Sequence, residues 1–165
     1  VDSRCCFAKP DGTVDYYDKH HLFTYSGESM HYSRGQERVV IQFRGLRIML
    51  LICYDLRFPT FSRNRDDYDA VIYPANWPQK RILAWDTLLR ARAIENQCYA
   101  IGVNRAGNDE WGFYPGHSAI ITPYGETLVQ TDEQPQMTSA ELDLEQLARF
   151  RAKFPVLQDA DPHEL

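Results

Sequence analysis

The sequence lacks any apolar run long enough to cross a membrane. Its longest such run, from Ile48 to Cys53, is far shorter than the roughly 20 residues that a membrane-spanning helix needs. Its first residues show no signal-peptide pattern either. We therefore expect a cytoplasmic protein that makes no contact with a membrane.

The sequence also lacks a cluster of basic residues. Its 18 lysines and arginines are outnumbered by 23 aspartates and glutamates, which gives a net charge of −5. A surface that binds nucleic acid groups its lysines and arginines opposite the phosphates. The charge pattern therefore argues against a nucleic-acid partner and favours a small-molecule partner.

Cysteine is scarce in the chain. The four cysteines are Cys5, Cys6, Cys53 and Cys98, and their spacing contains neither a CxxC motif nor another pattern typical of metal ligands. This spacing predicts neither a disulfide framework nor a zinc site. We expect a reducing compartment, and we expect that the protein uses no metal and no cofactor.

The apolar patterns that are present predict an α/β protein. Hydrophobic residues make up 44% of the 165 residues, which is enough for the core of one domain. Segments typical of buried strands alternate with segments whose apolar residues recur at helical spacing. The predicted strands are 3–8, 13–17, 39–43, 46–53, 69–76, 98–104, two within 117–131 and a last one over 137–144. The predicted helices are a short one after Pro59, 82–97 and 145–154. The predicted loops are 19–35 and 107–115.

The first two predicted strands form a hairpin around the turn Pro10-Asp11-Gly12. A hairpin by itself is only marginally stable and needs neighbouring structure. We therefore expect residues 1–165 to be a single domain that is incomplete at its N-terminus, with further strands of the same protein preceding Val1.

The run LRIMLLICYDLRFP, residues 46–59, ends a predicted buried strand at Cys53. Free cysteine is among the most buried residue types, so Cys53 could be a small core residue, as we expect for Cys98. However, the chain must turn sharply toward Pro59, and a strand followed by a turn and a helix can lift a nucleophile out of the sheet. Backbone amides in such a turn favour a thiolate, and the amide of Tyr54 could bind an oxyanion. Cys53 is therefore a candidate nucleophile.

A cysteine nucleophile usually works with a base, and histidine is the first choice. The five histidines are His20, His21, His31, His117 and His163. None of them stands beside an asparagine or aspartate in a recognisable catalytic signature. A Cys-His hydrolase is therefore kept as an alternative.

Seven motifs follow one another along nearly the whole chain. They are YDKHHLF, GESMHYSRG, GLRIMLLICYDLRFP, VIYPANWP, LLRARAIENQCYAIGVNRAG, GHSAIITPYGETL and the helix after Asp143. Together they resemble the carbon-nitrogen hydrolase (nitrilase) superfamily. CYDLRFP and WDTLLRARAIENQ are most similar to omega-amidases, which hydrolyse the side-chain amide of 2-oxo-dicarboxylic monoamides such as 2-oxoglutaramate. The resemblance implies an α-β-β-α sandwich, of which this chain would be the C-terminal portion.

The resemblance also implies a Glu-Lys-Cys catalytic triad. Cys53 matches the nucleophile, which forms a thioester after ammonia leaves. Lys19 matches the lysine that stabilises the oxyanion, and Glu28 matches a second glutamate that orients the lysine and the attacking water. Judged alone, Lys19 and Glu28 would be solvated loop residues. The general-base glutamate of the family lies upstream of the lysine, and no glutamate precedes Lys19 here, so we expect this base in a segment before Val1.

Three residues are candidate substrate contacts. Arg57 could bind the distal carboxylate of an omega-amide through two parallel hydrogen bonds, or it could form an ion pair with Asp55 or another acid instead. Asn76 and Trp77 follow a predicted strand, at the sheet edge where α/β proteins place ligands. For Trp77, a position in the core is the alternative.

Two other functions stay open. One is a nitrile-hydrolysing or acyl-transferring relative with the same triad, in which the acceptor for the thioester differs. The other is a non-catalytic assembly partner, which an incomplete triad would permit. The resemblance implies at least a homodimer, with helices and the tail 155–165 at the contact.

Overall fold

A six-stranded mixed sheet is the centre of the computed structural model, which describes residues 1–161. The strands of the chain are β1 (Arg4–Ala8), β2 (Val14–Asp18), β3 (Val39–Phe43), β4 (Leu46–Leu50), β5 (Ala70–Ala75), β6 (Tyr99–Asn104), β7 (Ala106–Asp109), β8 (Gly112–Pro115), β9 (Ala119–Ile121) and β10 (Thr127–Gln130). The order in the large sheet is β10-β9-β6-β5-β4-β3. Strands β4, β5 and β6 are parallel, and the outer pairs are antiparallel.

Four helices accompany the strands in the described part of the chain: α1 (Glu28–His31), α2 (Pro59–Ser62), α3 (Ile82–Glu95) and α4 (Leu144–Lys153). Short 3₁₀ turns cover Thr24–Ser26, Cys53–Arg57, Gln79–Arg81 and Val156–Asp159. No helix within residues 1–161 has the length and apolar character that crossing a membrane requires.

The two longer helices cover opposite faces of the sheet. Trp85 and Leu89 of α3 pack closely over Gly102 of β6, where an added Cβ would lie 2.5 and 2.8 Å from them. Leu147 of α4 packs instead against Tyr99 of the same strand. Residues 99 and 102 point to opposite sides because side chains alternate along a strand. Each face of the sheet is therefore buried by one helix.

The N-terminal hairpin of β1 and β2 packs beside the large sheet. Tyr17 is fully buried, and Cys5 and Phe7 pack against the same core. The ring of Phe7 lies 5.4 Å from the ring of Phe43 on β3, in an edge-to-face arrangement. One face of the hairpin therefore contributes to the main core, and the predicted hairpin is confirmed.

Two of the predicted segments outside the candidate site differ from the structure. The predicted loop 107–115 is a hairpin of β7 and β8, because Asp109 Oδ1 accepts hydrogen bonds from the amides of Trp111 and Gly112 and closes a tight turn. The predicted strand 137–144 has no strand partner in the described chain, and Met137 is 97% exposed.

The predicted short helix after Pro59 is confirmed as α2, which ends at Ser62. It ends there because of buried Asn64, whose Oδ1 accepts hydrogen bonds from the amides of Asp67 and Tyr68. Such side-chain bonds compete with continuation of a helix. Residues 162–165, which include His163 and the end of the predicted contact tail, lie outside the described residues.

Candidate active site

Cys53 lies where two parallel strands end side by side. Strand β4 pairs with β5 in parallel, and the amide of Leu51 still donates to the carbonyl of Ile72 at 3.0 Å. The strand itself ends at Leu50, three residues earlier than predicted. The parallel pairing brings Cys53 near Asn76, whose backbone amide acts to lower the pKa of the thiol. The predicted role of Asn76 as a substrate contact stays a prediction.

The backbone at Cys53 is strained. Its φ is 44°, in the left-handed region that residues with a Cβ rarely adopt. Cys53 is the first residue of the 3₁₀ turn Cys53–Arg57, and amides in the first turn of a helix have no acceptor within it. The Tyr54 amide belongs to this first turn, and its role in binding an oxyanion stays a prediction. The Tyr54 ring packs against Phe23 at 4.8 Å.

The environment of Cys53 favours the neutral thiol. Burial is the main effect and raises the pKa of the Cys53 thiol above its ordinary value. The Lys19 ammonium and the Asn76 amide act in the opposite direction, and the Glu28 carboxylate adds to the increase. A nucleophilic Cys53 would therefore need a base to remove its proton.

Lys19 and Glu28 form a close ion pair. Lys19 is 2% exposed and donates to Glu28 Oε2 at 2.6 Å and to Oε1 at 2.9 Å. Glu28 begins α1, within the stretch predicted as loop, and its Oε2 also accepts from the amide of Phe23 at 2.8 Å. A buried ammonium needs such a partner because desolvation of an isolated charge is costly. Lys19 is therefore held in place and is not a solvated loop residue.

The buried carboxylate of Asp55 connects the Cys53 turn to the N-terminal hairpin. Its Oδ2 accepts from Tyr17 Oη at 2.8 Å and from the amide of Ile52 at 2.9 Å. Its Oδ1 lies 2.9 Å from both the amide and Nδ1 of His21. Asp55 is 1% exposed. The segment that carries Lys19 is thereby fixed against the turn that carries Cys53.

Asn104, at the end of β6, fixes the loop after Asn76. Its Oδ1 accepts from the amide of Trp77 at 2.6 Å, and its Nδ2 donates to the carbonyls of Trp77 and Gly116 at 3.0 and 2.7 Å. Neither Asp55 nor Asn104 is predicted as a site residue from sequence. The position of Asn104 at the carboxyl end of a central parallel strand is the signal that could have identified it.

Trp77 is a core residue, 3% exposed. Its ring packs 5.5 Å from that of Trp85, and its Nε1 donates to the carbonyl of Arg81 at 2.8 Å. Trp77 therefore does not line the pocket, as first predicted, but takes the alternative position in the core. The Arg57 guanidinium lies over the Trp77 ring at 5.0 Å. The alternative Arg57–Asp55 ion pair is absent from the described residues, because the Asp55 oxygens are occupied by other donors.

The structure offers no support for a Cys-His pair. Within residues 1–161, no histidine hydrogen bonds to Cys53. His117 Nδ1 lies 3.0 Å from Asp86 Oδ2, and His20 Nδ1 contacts the carbonyl of Gly35 at 2.7 Å. In the same residues, no group of three or more histidine, cysteine, aspartate or glutamate side chains is arranged to hold a metal ion.

Comparison with known proteins agrees with this geometry. Residues 2–152 match the carbon-nitrogen hydrolase family. The chain belongs to this family. It is 49% identical to omega-amidase YafV of Escherichia coli K12 over 99% of its length, and 37% identical to 2-oxoglutaramate amidase of Bacillus subtilis 168 over 88%.

A solved structure supports the same assignment. It is XC1258 of Xanthomonas campestris, a CN-hydrolase superfamily protein with an arsenic adduct in its active site. XC1258 is 44% identical to this chain, and the TM-score is 0.97. The match covers 100% of this chain and 66% of XC1258. The predicted α/β nitrilase-like fold class is thereby confirmed. This carbon-nitrogen hydrolase chain spans 64% of the E. coli relative and 57% of the B. subtilis relative.

We predict that Asp55→Asn destabilises the protein more than Tyr17→Phe. The asparagine keeps one acceptor oxygen, but its NH₂ group replaces the other and faces donors that then have no acceptor. This should lower the free energy of unfolding by about 2–4 kcal/mol. Tyr17→Phe removes one of the four hydrogen bonds to Asp55 and the bond that Tyr17 Oη accepts from the amide of His20, and should cost about 1–2 kcal/mol. Urea denaturation of the natural protein measures both. Equal losses in the two variants would contradict the central role of Asp55.

We also predict that Lys19→Met raises the pKa of the Cys53 thiol further. The variant removes the ammonium that lowers this pKa and leaves the Glu28 carboxylate that raises it. Alkylation of Cys53 by iodoacetamide should therefore reach a given rate only at a higher pH in the variant than in the unsubstituted protein. Peptide mass spectrometry follows this rate. Lys9→Met, which removes an ion pair with Asp15 at the far end of the hairpin, is the control.

In the unsubstituted protein, Cys53 should be alkylated before Cys98, which is fully buried. Alkylation of Cys98 first, or an unchanged pH dependence in Lys19→Met, would contradict this description of the site.

Proposed function

We propose that the natural protein hydrolyses a small carboxamide, the omega-amide of a 2-oxo-dicarboxylic monoamide such as 2-oxoglutaramate. The observation that carries this proposal is the buried Lys19–Glu28 ion pair, whose two charges both act on the thiol of Cys53 in its strained turn. The names of the E. coli and B. subtilis relatives, an omega-amidase and a 2-oxoglutaramate amidase, support this choice of substrate.

The proposed reaction uses each of these groups in turn. A base removes the Cys53 proton, and the sulfur attacks the amide carbonyl carbon. The oxyanion that forms is stabilised by the Lys19 ammonium and the Tyr54 amide. The carbon-nitrogen bond then breaks, the nitrogen takes up the proton, and ammonia leaves. Water, oriented by Glu28, hydrolyses the thioester and releases the carboxylic acid.

We assign the base to a glutamate in a segment that would precede Val1 as part of the same domain. The raised pKa of the Cys53 thiol supports the need for such a group. Within residues 1–161, Glu28 is already committed to Lys19 and to the amide of Phe23. We further propose that Asn76 lies at the substrate pocket beside Cys53.

Substitution of the three residues tests the proposal. Cys53→Ala should abolish ammonia release from 2-oxoglutaramate without unfolding the protein. Lys19→Ala and Glu28→Ala should lower kcat far more than they raise KM, because both residues act on the transition state. The loss of one oxyanion donor is commonly about 100- to 1000-fold.

A coupled assay for ammonia measures kcat and KM, and circular dichroism checks folding. Turnover by Cys53→Ala would refute the amidase proposal, and a Lys19→Ala variant within a few-fold of the unsubstituted protein would remove Lys19 from the mechanism. Product formation only in the presence of an amine acceptor would indicate an acyltransferase. No thioester and no turnover in the natural protein would indicate a non-catalytic partner.

We also propose that the protein acts in the cytoplasm as a homodimer or larger homo-oligomer. Its four cysteines are all free thiols in the structure, which suits a reducing compartment. Ile94 of α3 and Phe154 after α4 are 50% and 59% exposed, and apolar side chains of this size are suited to a subunit contact. Sedimentation velocity should give at least twice the subunit mass. A monomer at all concentrations would contradict the assembly.

A further inference from the structure

An open cleft that includes Arg57, the last residue of the Cys53–Arg57 turn, is lined by basic residues. Its volume is about 490 Å³, and its lining residues are Arg57, Lys80, Arg81, Leu83, Ala84, Thr87 and Leu88. Three of these side chains are cationic and none is acidic, although the chain as a whole carries a net charge of −5. The cleft is therefore suited to an anion, and its alanine and leucine side chains are suited to methylene groups.

Arg81 connects this cleft to the groups around Cys53. Its guanidinium lies over the Phe23 ring at 5.4 Å, and the amide of Phe23 donates to Glu28 at 2.8 Å. Its backbone carbonyl accepts from Trp77 Nε1 at 2.8 Å. Two separate contacts therefore hold the residue, one with Phe23 and one with Trp77.

The guanidinium groups of Arg81 and Arg57 have no acidic partner within residues 1–161. Both rest on aromatic rings instead. By contrast, Arg47 forms an ion pair with Asp69 at 2.6 Å, and Arg38 forms one with Asp67 at 2.8 Å. An aromatic ring under a guanidinium fixes its plane while its N–H groups stay free to bind a carboxylate.

We infer that Arg81 determines substrate specificity by binding the distal carboxylate of the omega-amide together with Arg57. This inference rests on the proposed function. The two guanidinium groups line one cleft and present planar forks that match a carboxylate. Two cations at one end of the substrate would place the amide at the other end toward Cys53.

The test compares a charged and a neutral substrate in the complete natural polypeptide that contains this chain. The substrates are 2-oxoglutaramate and its methyl ester, which share the amide and differ in the distal carboxylate. The variants are Arg81→Gln, Arg81→Lys and the control Lys80→Gln, which removes a neighbouring cation of the same cleft that does not rest on Phe23.

Arg81→Gln should lower kcat/KM for 2-oxoglutaramate by about 10- to 100-fold, mainly through KM, which is the range for a lost hydrogen bond to a charged group. It should change kcat/KM for the methyl ester by less than about 3-fold, because that substrate makes no use of the fork. Arg81→Lys should fall between, since lysine keeps the charge and loses the fork. Lys80→Gln should affect 2-oxoglutaramate much less than Arg81→Gln.

Equal losses of kcat/KM on both substrates would overturn the inference and indicate a structural role for Arg81. No loss of kcat/KM on either substrate would also overturn it. Similar use of the two substrates by the unsubstituted protein would also overturn it, while leaving the amidase proposal intact. Hydrolysis of neither substrate by the unsubstituted protein would overturn both.

Discussion

The carboxylate of Asp55 is the interaction on which the candidate site depends. It accepts hydrogen bonds from Tyr17 of the hairpin, from His21 in the segment that follows it, and from the amide of Ile52 just after β4. A buried carboxylate is stabilised only when its oxygens are occupied by donors. Asp55 therefore requires that the segment bearing Lys19 and the turn bearing Cys53 meet in one arrangement.

That arrangement places opposing demands on Cys53. Its left-handed backbone is strained, and the strain persists because the bonds of Asp55 and the end of a parallel strand pair determine the turn. The surroundings that hold the turn also partly bury the thiol, and this burial raises its pKa. The Lys19–Glu28 pair supplies a fixed ammonium next to the thiol, which partly offsets the cost of a thiolate.

Local patterns predicted much of this structure. The hairpin, the strands around Ile48 and Val71, and the helix from Ile82 are confirmed, because short-range apolar periodicity and turn residues specify them. The prediction of a strand over 137–144 is wrong, because a strand forms only beside a partner strand, and the local sequence does not specify that partner. The end of α2 at Ser62 was not predicted, because Asn64 bonds both to the turn that follows it and to Asn96, which only the folded chain brings near.

By itself, the sequence determined the α/β class, the position of Cys53 at the end of a buried strand, and the family through the order of its motifs. The tertiary structure decided that Lys19 is buried against Glu28, that Trp77 belongs to the core, and that Arg57 and Arg81 line one cleft. The physical reason is that burial and charge pairing are set by residues far apart in the chain. Such contacts arise only when the hairpin, the turn and the strand ends are packed together.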